Sequence, residues 1–124
     1  MPDVVIVYTT WPDAGKAEAA GAEAVAERLA ACVNIFAPIR SIYRWQGAVE
    51  SAAEVPMTLK TTDAAAPALV AFLSERHPYE TPCILAWPTA PGLSHAGYLD
   101  WVQDEVVAPA ISGAADEPVS PGEA

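Results

Sequence analysis

The residues best suited to chemistry lie in one short stretch, ERHPYETPC, which runs from Glu75 to Cys83. It holds His77, one of two histidines in the chain, and one of its two cysteines. Imidazole and thiolate are the ligands that copper and zinc prefer in proteins. The same stretch has the features of a helix that ends at Pro78 and a strand that begins at Thr81. A metal site and a structural junction are therefore both open interpretations.

The two cysteines, Cys32 and Cys83, form no CxxC motif and are too few for a disulfide framework. Both stand in apolar, strand-like surroundings. A free cysteine in such a place behaves as a small hydrophobic residue. We therefore expect two free thiols with a packing role.

The composition favours a globular protein without nucleic-acid or membrane partners. The chain has 124 residues, of which 52% are hydrophobic, and its net charge is -10. Phosphate contacts require a surplus of Lys and Arg, which this chain lacks. Its apolar segments are shorter than the roughly 20 residues that span a bilayer. The opening MPDVVIVYTTWPD lacks the basic region of a signal peptide, so we expect a cytoplasmic protein.

Catalysis finds little support in the sequence. The chain contains no GxSxG, HExxH or P-loop motif. The positions of its Ser, Cys and His residues justify no pairing of a nucleophile with a base. We therefore do not expect an enzyme.

Hydrophobic periodicity predicts the order βαββαβ followed by a C-terminal helix. The predicted strands are Asp3–Thr10, Cys32–Trp45, Ala48–Thr62 and Thr81–Pro88, and the predicted helices run from Asp13 to about Ala31, from Ala64 to His77 and from Ser94 to about Val107. This order is that of the α+β, ferredoxin-like fold, an antiparallel sheet with helices on one face. We expect one domain over residues 1–111 and a disordered acidic tail over 112–124.

Four residues are predicted to set the ends of these elements. Asp13, Asp63 and Ser94 are expected to be the N-caps of the three helices. Pro56 cannot donate a hydrogen bond in a strand ladder, so it is expected at a bulge or an unpaired edge.

The first two helices each carry a predicted apolar face. On the first helix the face consists of Ala17, Ala22, Val25, Ala26 and Leu29, and on the second of Leu69, Phe72 and Leu73. Gly15 and Gly21 are expected to weaken the first helix by about 1 kcal/mol each relative to Ala.

The second and third predicted strands form a hairpin that is too long for its own domain. Gln46–Gly47 is a turn signal, and the runs on either side are more than double the usual strand length of about 5–6 residues. At about 3.3 Å per residue each strand would exceed about 40 Å, whereas a domain of about 100 residues has a radius of gyration near 13 Å.

The tip of this hairpin is apolar, since it carries Ile42, Tyr43, Trp45 and Val49. Exposed on a two-stranded ribbon, these side chains would form a large apolar patch. We expect the hairpin to dock on another copy in a closed dimer or trimer. The alternative is a hairpin that curls over its own sheet at Pro38 and Pro56.

Five sequence blocks together resemble the CutA family of divalent-ion tolerance proteins. They are RLAACVNI (Arg28–Ile35), SIYRWQGAVE (Ser41–Glu50), EVPMTLKTT (Glu54–Thr62), HPYETP (His77–Pro82) and YLDWV (Tyr98–Val102). The resemblance implies a ferredoxin-like homotrimer, related in architecture to PII signalling proteins, whose hairpins wrap neighbouring subunits. It also implies a role in copper and divalent-cation tolerance, with Cu(2+) or another divalent cation bound and no cofactor required for folding.

Only part of the family's copper site is matched here. The resemblance implies as ligands a cysteine at the end of the first strand and a His-His pair before Pro-Tyr. His77 matches the second histidine, whereas Arg76 replaces the first, and Tyr8 and Thr9 stand where the thiol is expected. His77 is therefore the candidate metal ligand, and a trimer would bring three copies of it together.

An alternative is a PII-like sensor that binds a small anionic ligand in clefts between subunits. Cations are notable in a chain with six basic residues, because a cation in a cleft favours a bound anion. The candidate cleft residues are Arg44, Trp45, Glu54, Lys60, Tyr79 and Glu80. Two further interpretations stay open: that Glu50, Glu54, Arg44 and Lys60 pair with one another across the hairpin or between subunits, and that the trimer is a structural scaffold for a partner.

Overall fold

The helices and strands are given by a computed structural model, which describes residues 3–109. They are β1 Val4–Trp11, α1 Ala14–Ala26, β2 Cys32–Ile35, β3 Ile39–Trp45, β4 Ala48–Thr62, α2 Ala66–Arg76, β5 Ile84–Pro88 and α3 Ala96–Glu105, with a 3-10 turn at Pro91–Leu93. The predicted tail over 112–124 lies outside the described residues.

The five strands form one antiparallel sheet in the order β2-β4-β1-β5, and β3 pairs with the outer part of β4. β1 lies at the centre, with Val7 opposite Leu59 of β4 on one side and opposite Ala86 of β5 on the other. Together with the element order, this topology confirms the predicted ferredoxin-like α+β fold. No helix within residues 3–109 is long and apolar enough to cross a membrane.

The main core lies between this sheet and the helices α1 and α2. Its largest fully buried side chains include Trp11, Met57 and Leu59 of the strands and Leu69 and Leu73 of α2. The inward face predicted for α2 is confirmed. A second, smaller core lies under α3 around Val102.

The prediction for α1 was wrong in its end and in part of its buried face: Ala17 and Leu29 are buried as predicted, whereas Ala22 and Ala26 are exposed. The helix ends at Ala26, since Arg28 has a φ of 62° and turns the chain out of the helix. Leu29 is buried beyond that end, whereas Val25 is exposed. The buried face consists of Ala17, Ala20, Gly21 and Ala24. Such small side chains let the helix lie close to the sheet.

Two of the three predicted N-caps were wrong. Asp13 caps α1 as expected, with its carboxylate accepting from the Lys16 amide at 2.8 Å. Asp63 instead accepts from the Asp3 amide at 3.2 Å, and α2 has no side-chain cap. The cap of α3 is His95, whose Nδ1 accepts from the Tyr98 amide at 3.2 Å. Ser94 donates its hydroxyl to the Ala90 carbonyl.

The long hairpin is interrupted on one side only. β2 and β3 are separated by the break at residues 36–38, while β4 runs unbroken through Pro56 for 15 residues. Pro56 therefore lies inside its own strand but opposite an irregular stretch, since residues 36–38 face only residues 55–56 between the pairs Ile35–Met57 and Ile39–Glu54. Its carbonyl accepts from the Phe36 amide at 2.9 Å. The backbone N and O of a strand residue point towards the same neighbouring strand, so the Pro56 nitrogen, which carries no hydrogen, also points towards the break at residues 36–38.

The hairpin beyond the break leaves its apolar side chains exposed within one chain. Ile42 is 70% exposed and Val49 is 64% exposed. The turn has positive φ at Gln46 and Gly47, as expected for a tight hairpin turn. Curling over its own sheet, the alternative stated above, therefore does not cover this tip.

The segment before β5 also differs from its prediction. The strand begins at Ile84 and not at Thr81, because the chain folds back after α2 to place the Tyr79 amide on His77 and because Pro82 has no amide to donate. Cys32 and Cys83 are free and half-buried, as expected.

Gly21 is the residue of α1 that a larger side chain would disturb most. A Cβ at this position would lie 2.8 Å from Met57 Sδ and 3.1 Å from Val33 Cγ2, both in the packed sheet. At Gly15, on the exposed first turn, the nearest contact would be an ordinary 3.4 Å.

We expect Gly21→Ala to lower the free energy of unfolding by about 1 kcal/mol, because overpacking costs about 1–3 kcal/mol and exceeds the gain in helix propensity of about 1 kcal/mol. Gly15→Ala, the matched control, should be neutral or stabilising. Urea unfolding followed by circular dichroism measures both. Equal stabilisation by the two substitutions would contradict the close packing of α1 on Met57.

Candidate functional site

His77 lies at the end of α2, where the chain turns towards β5. Its side chain is 7% exposed. The ring lies against Trp11, with centroids 4.4 Å apart, and against Tyr79, with centroids 4.9 Å apart. Trp11 is itself held by a 2.7 Å hydrogen bond from Nε1 to Thr9 Oγ1. The imidazole is therefore part of the packed structure and not a surface group.

Both ring nitrogens of His77 are hydrogen-bonded to backbone groups. Nε2 donates to the Thr10 carbonyl at 2.7 Å, and Nδ1 accepts from the Tyr79 amide at 3.2 Å. Because a carbonyl only accepts and an amide N–H only donates, the ring is neutral with its proton on Nε2. A metal ion can reach Nδ1 only by displacing the Tyr79 amide.

The residues of one chain do not fit a copper site. Among residues 3–109, no group of three or more His, Cys, Asp or Glu side chains is arranged to hold a metal ion. Tyr8, at the position of the expected thiol, alternates in β1 with Thr9 and therefore points to the face of the sheet opposite Trp11 and His77. Thr9 uses its hydroxyl to donate to the Met57 carbonyl at 2.9 Å.

Arg76, the neighbour of His77, is engaged elsewhere. Its Nε and Nη2 donate to the two carboxylate oxygens of Glu23, each at 2.9 Å, and its guanidinium lies 3.6 Å from the centroid of the Phe72 ring. The hydrogen bond from Arg76 lowers the pKa of Glu23. The positive charge is thus paired on α1 and is not free to act on His77.

Tyr79 connects His77 to the hairpin. Burial raises the pKa of the Tyr79 phenol, and the electrostatic effects of Glu54 and Tyr43 raise it further, so both residues lie within electrostatic range of it. The phenol is therefore neutral at physiological pH and offers a hydrogen-bond donor, not an anionic ligand. Tyr43 and Tyr79 are about equally exposed, at 40% and 41%.

Lys60 belongs to a second cluster, under α3. It is half-buried, donates from Nζ to Asn34 Oδ1 and lies 6.0 Å from the centroid of the Tyr98 ring. Cys32 is its register partner in β2. Burial raises the pKa of Tyr98, and Cys32 raises it further. Within residues 3–109 no carboxylate forms an ion pair with Lys60.

The six predicted cleft residues do not form one cluster within a chain. Tyr79 and Glu54 lie together, whereas Lys60 is six residues further along β4, about 20 Å away. Trp45 is at the hairpin turn, opposite Ala48, and Glu80 is exposed in the segment before β5. A cleft that contains all of them therefore has to include a second copy.

The hairpin register separates its acidic and basic side chains. Tyr43 lies opposite Glu50 and Arg44 opposite Val49. Residues opposite each other share a face and neighbours along a strand alternate, so Arg44 points to one face and Glu50 to the other. Arg44 therefore cannot pair with Glu50 or with Glu54 across one hairpin. That part of the predicted charge pairing was wrong.

Three residues of these clusters were not anticipated as site residues: Trp11, Asn34 and Tyr98. The first strand was predicted to end at Thr10, which left Trp11 outside it, although Trp11 is the fully buried last residue of β1. Asn34 and Tyr98 approach Lys60 only through the register of β2 on β4 and the position of α3. Alternation within β2 predicts that Asn34 and Cys32 point to the same face of the sheet. It cannot identify the residue of β4 that lies opposite them.

Comparison with known proteins identifies relatives across almost the whole described chain. A family model described as CutA1 divalent ion tolerance protein matches residues 5–105. The divalent-cation tolerance protein CutA of Salmonella newport is 39% identical over 102 residues, which cover 82% of this chain and 87% of that protein.

Solved structures give the same result. The divalent cation tolerance protein CutA1 of Thermus thermophilus is 39% identical, with a TM-score of 0.80 over 84% of this chain and 99% of that one. A CutA from Archaeoglobus fulgidus, described as a periplasmic divalent cation tolerance protein, is 35% identical, with a TM-score of 0.79 over 84% of this chain and 99% of that one.

Proposed function

The chain belongs to the CutA1 divalent ion tolerance family, and from that premise we propose that it acts as a cytoplasmic homotrimer in the tolerance of divalent cations, copper among them. The cytoplasmic location is supported by its two free cysteines, which suit a reducing compartment. The proposal is for a binding protein and not for an enzyme.

One observation carries the assembly: the apolar tip of the hairpin has no cover within the described part of the chain. Ile42 and Val49 are 70% and 64% exposed, and Tyr43 and Trp45 are 40% and 46% exposed. Side chains of this size and number on a two-stranded ribbon favour contact with another protein surface. Identical copies supply such a surface in closed symmetry.

The cation is proposed to bind where copies meet, with His77 as a ligand. His77 is the histidine next to the hairpin cluster of Tyr79, Glu54 and Tyr43. A single chain offers too few ligands there, so the others come from a second copy. The ion takes the place of the Tyr79 amide at Nδ1, while the Nε2 hydrogen bond to Thr10 keeps the ring oriented.

We expect His77→Ala to weaken Cu(2+) binding by about tenfold or more, because loss of one ligand removes a direct metal bond. Isothermal titration of the assembled protein with Cu(2+) measures the affinity. His95→Ala is the matched control, since His95 is the other histidine and lies exposed at the start of α3; its affinity should equal that of the wild type.

His77 is buried, so the variant must also be shown to fold. Its removal leaves two backbone groups without a partner, at a cost of about 1–3 kcal/mol each. Circular dichroism at the titration temperature establishes that the variant is native. Equal copper affinities in wild type and folded His77→Ala would refute the direct role of His77.

The second candidate is a PII-like sensor of a small anion, and Lys60 is the observation that favours it. Lys60 is half-buried without a carboxylate partner in the described chain, and its Nζ lies 6.0 Å from the centroid of the Tyr98 ring. A half-buried cation of this kind gains most from a bound anion such as a carboxylate or a phosphate.

We expect a nucleotide or carboxylate to raise the melting temperature of the wild type and not that of Lys60→Ala, because the variant lacks the cation. A thermal-shift screen measures this. Lys16→Ala, which removes an exposed cation on α1, is the control and should respond as the wild type does. If no anion in the screen stabilises the wild type, the sensor is refuted and a structural scaffold trimer takes its place.

A further inference from the structure

The outer hairpin, formed by β3 and the first seven residues of β4, has two chemically opposite faces. Cross-strand pairs place Arg40, Ile42 and Arg44 on one face, together with their partners Ala53, Ser51 and Val49. The other face carries Glu50, Ala52 and Glu54, together with Tyr43, Ser41 and Ile39. We call them the basic face and the acidic face.

The charged residues of the two faces have the same spacing. Arg40 and Arg44 are four residues apart on β3, and Glu50 and Glu54 are four residues apart on β4, which is about 13 Å in each case. Ile42, 70% exposed, stands between the arginines. The residue between the glutamates is the small Ala52, so a protruding Ile42 fits there when one face covers the other.

These charges are not satisfied within their own chain. Of the six basic residues, Lys16, Arg28 and Arg76 form ion pairs. Arg44 forms none within residues 3–109, and Arg40 only donates to the neutral Ser51 hydroxyl at 3.3 Å. Neither Glu50 nor Glu54 has an ion-pair partner in that range, because the arginines of the hairpin point to its other face.

We propose that the basic face of one copy packs on the acidic face of the next, with Arg40 and Arg44 paired to Glu50 and Glu54 and with Ile42 over Ala52. This rests on the proposed homotrimer and names the surfaces that join it. Arginine can interact with the acidic face in two ways. It binds carboxylates in a bidentate manner, and it stacks on aromatic rings such as that of Tyr43.

The pairing also determines the symmetry of the assembly. A contact between two different faces is heterologous, so every copy offers one face and receives another, as in a cyclic ring and not in a twofold dimer. A twofold dimer through the hairpin would instead place arginines against arginines or glutamates against glutamates. The two faces therefore favour a ring, such as the proposed trimer, over the twofold dimer that hairpin length alone allows.

Charge reversal tests the pairing. Arg40→Glu/Arg44→Glu makes both faces acidic, and Glu50→Arg/Glu54→Arg makes both basic, so each should weaken assembly by about a hundredfold or more. The fourfold variant that combines these changes swaps the faces, keeps the composition and net charge, and should assemble within about tenfold of the wild type. Sedimentation velocity over a concentration series measures all four proteins.

A control separates this effect from that of net charge. Lys16→Glu/Ala19→Glu/Ala22→Glu adds the same negative charge as Arg40→Glu/Arg44→Glu, on exposed positions of α1, and should assemble as the wild type does. A single-chain wild type would refute the homotrimer itself. A wild type that assembles, with reversed variants that assemble equally well, would refute only the pairing of faces. If one of the two double variants fails to fold, the fourfold variant becomes the test of the pairing. A fourfold variant that fails to assemble refutes it.

Discussion

β4 is held along its length by three other strands, and this shared strand is the constraint on which the rest of the structure depends. Its second half lies in the core between β1 and β2, and its first half pairs with β3 alone. Because β4 does not break at Pro56, the hairpin continues beyond the core as an extension of a central strand. The described part of the chain then leaves the apolar tip exposed, and the proposed assembly covers it with a second copy.

The candidate sites follow from the same strand. Glu54 stands in the middle of β4, where the strand leaves the core near Tyr79 and the buried His77, whereas Lys60 stands near the C-terminal end of β4, beneath α3. Neither cluster is complete as a binding site within one chain. The proposed assembly would bring further groups to both positions on β4, so ligand binding and self-association should be linked.

The sequence predicted the fold well and the site only in part. Alternation in Val55–Leu59 and the apolar stripe of α2 report directly on burial, and the five sequence blocks identified the family that the comparisons confirm. The end of α1, by contrast, depends on the positive φ of Arg28. The need for a glycine at position 21 depends on close packing against Met57, which is 36 positions away in sequence. The face to which Arg44 points requires the register of the hairpin, which composition and spacing leave open.

The central claim is that the outer hairpin is covered by sister chains. Hydrogen–deuterium exchange tests it most directly, because the core half of β4, residues 55–62, serves as an internal reference for the exchange rate of the outer half. At concentrations where assembly is complete, amides of residues 39–54 should exchange nearly as slowly as those of residues 55–62. On dilution to single chains only residues 39–54 should become fast, since an isolated two-stranded ribbon is marginal in water. Fast exchange of residues 39–54 at every concentration, with residues 55–62 protected, would contradict the account.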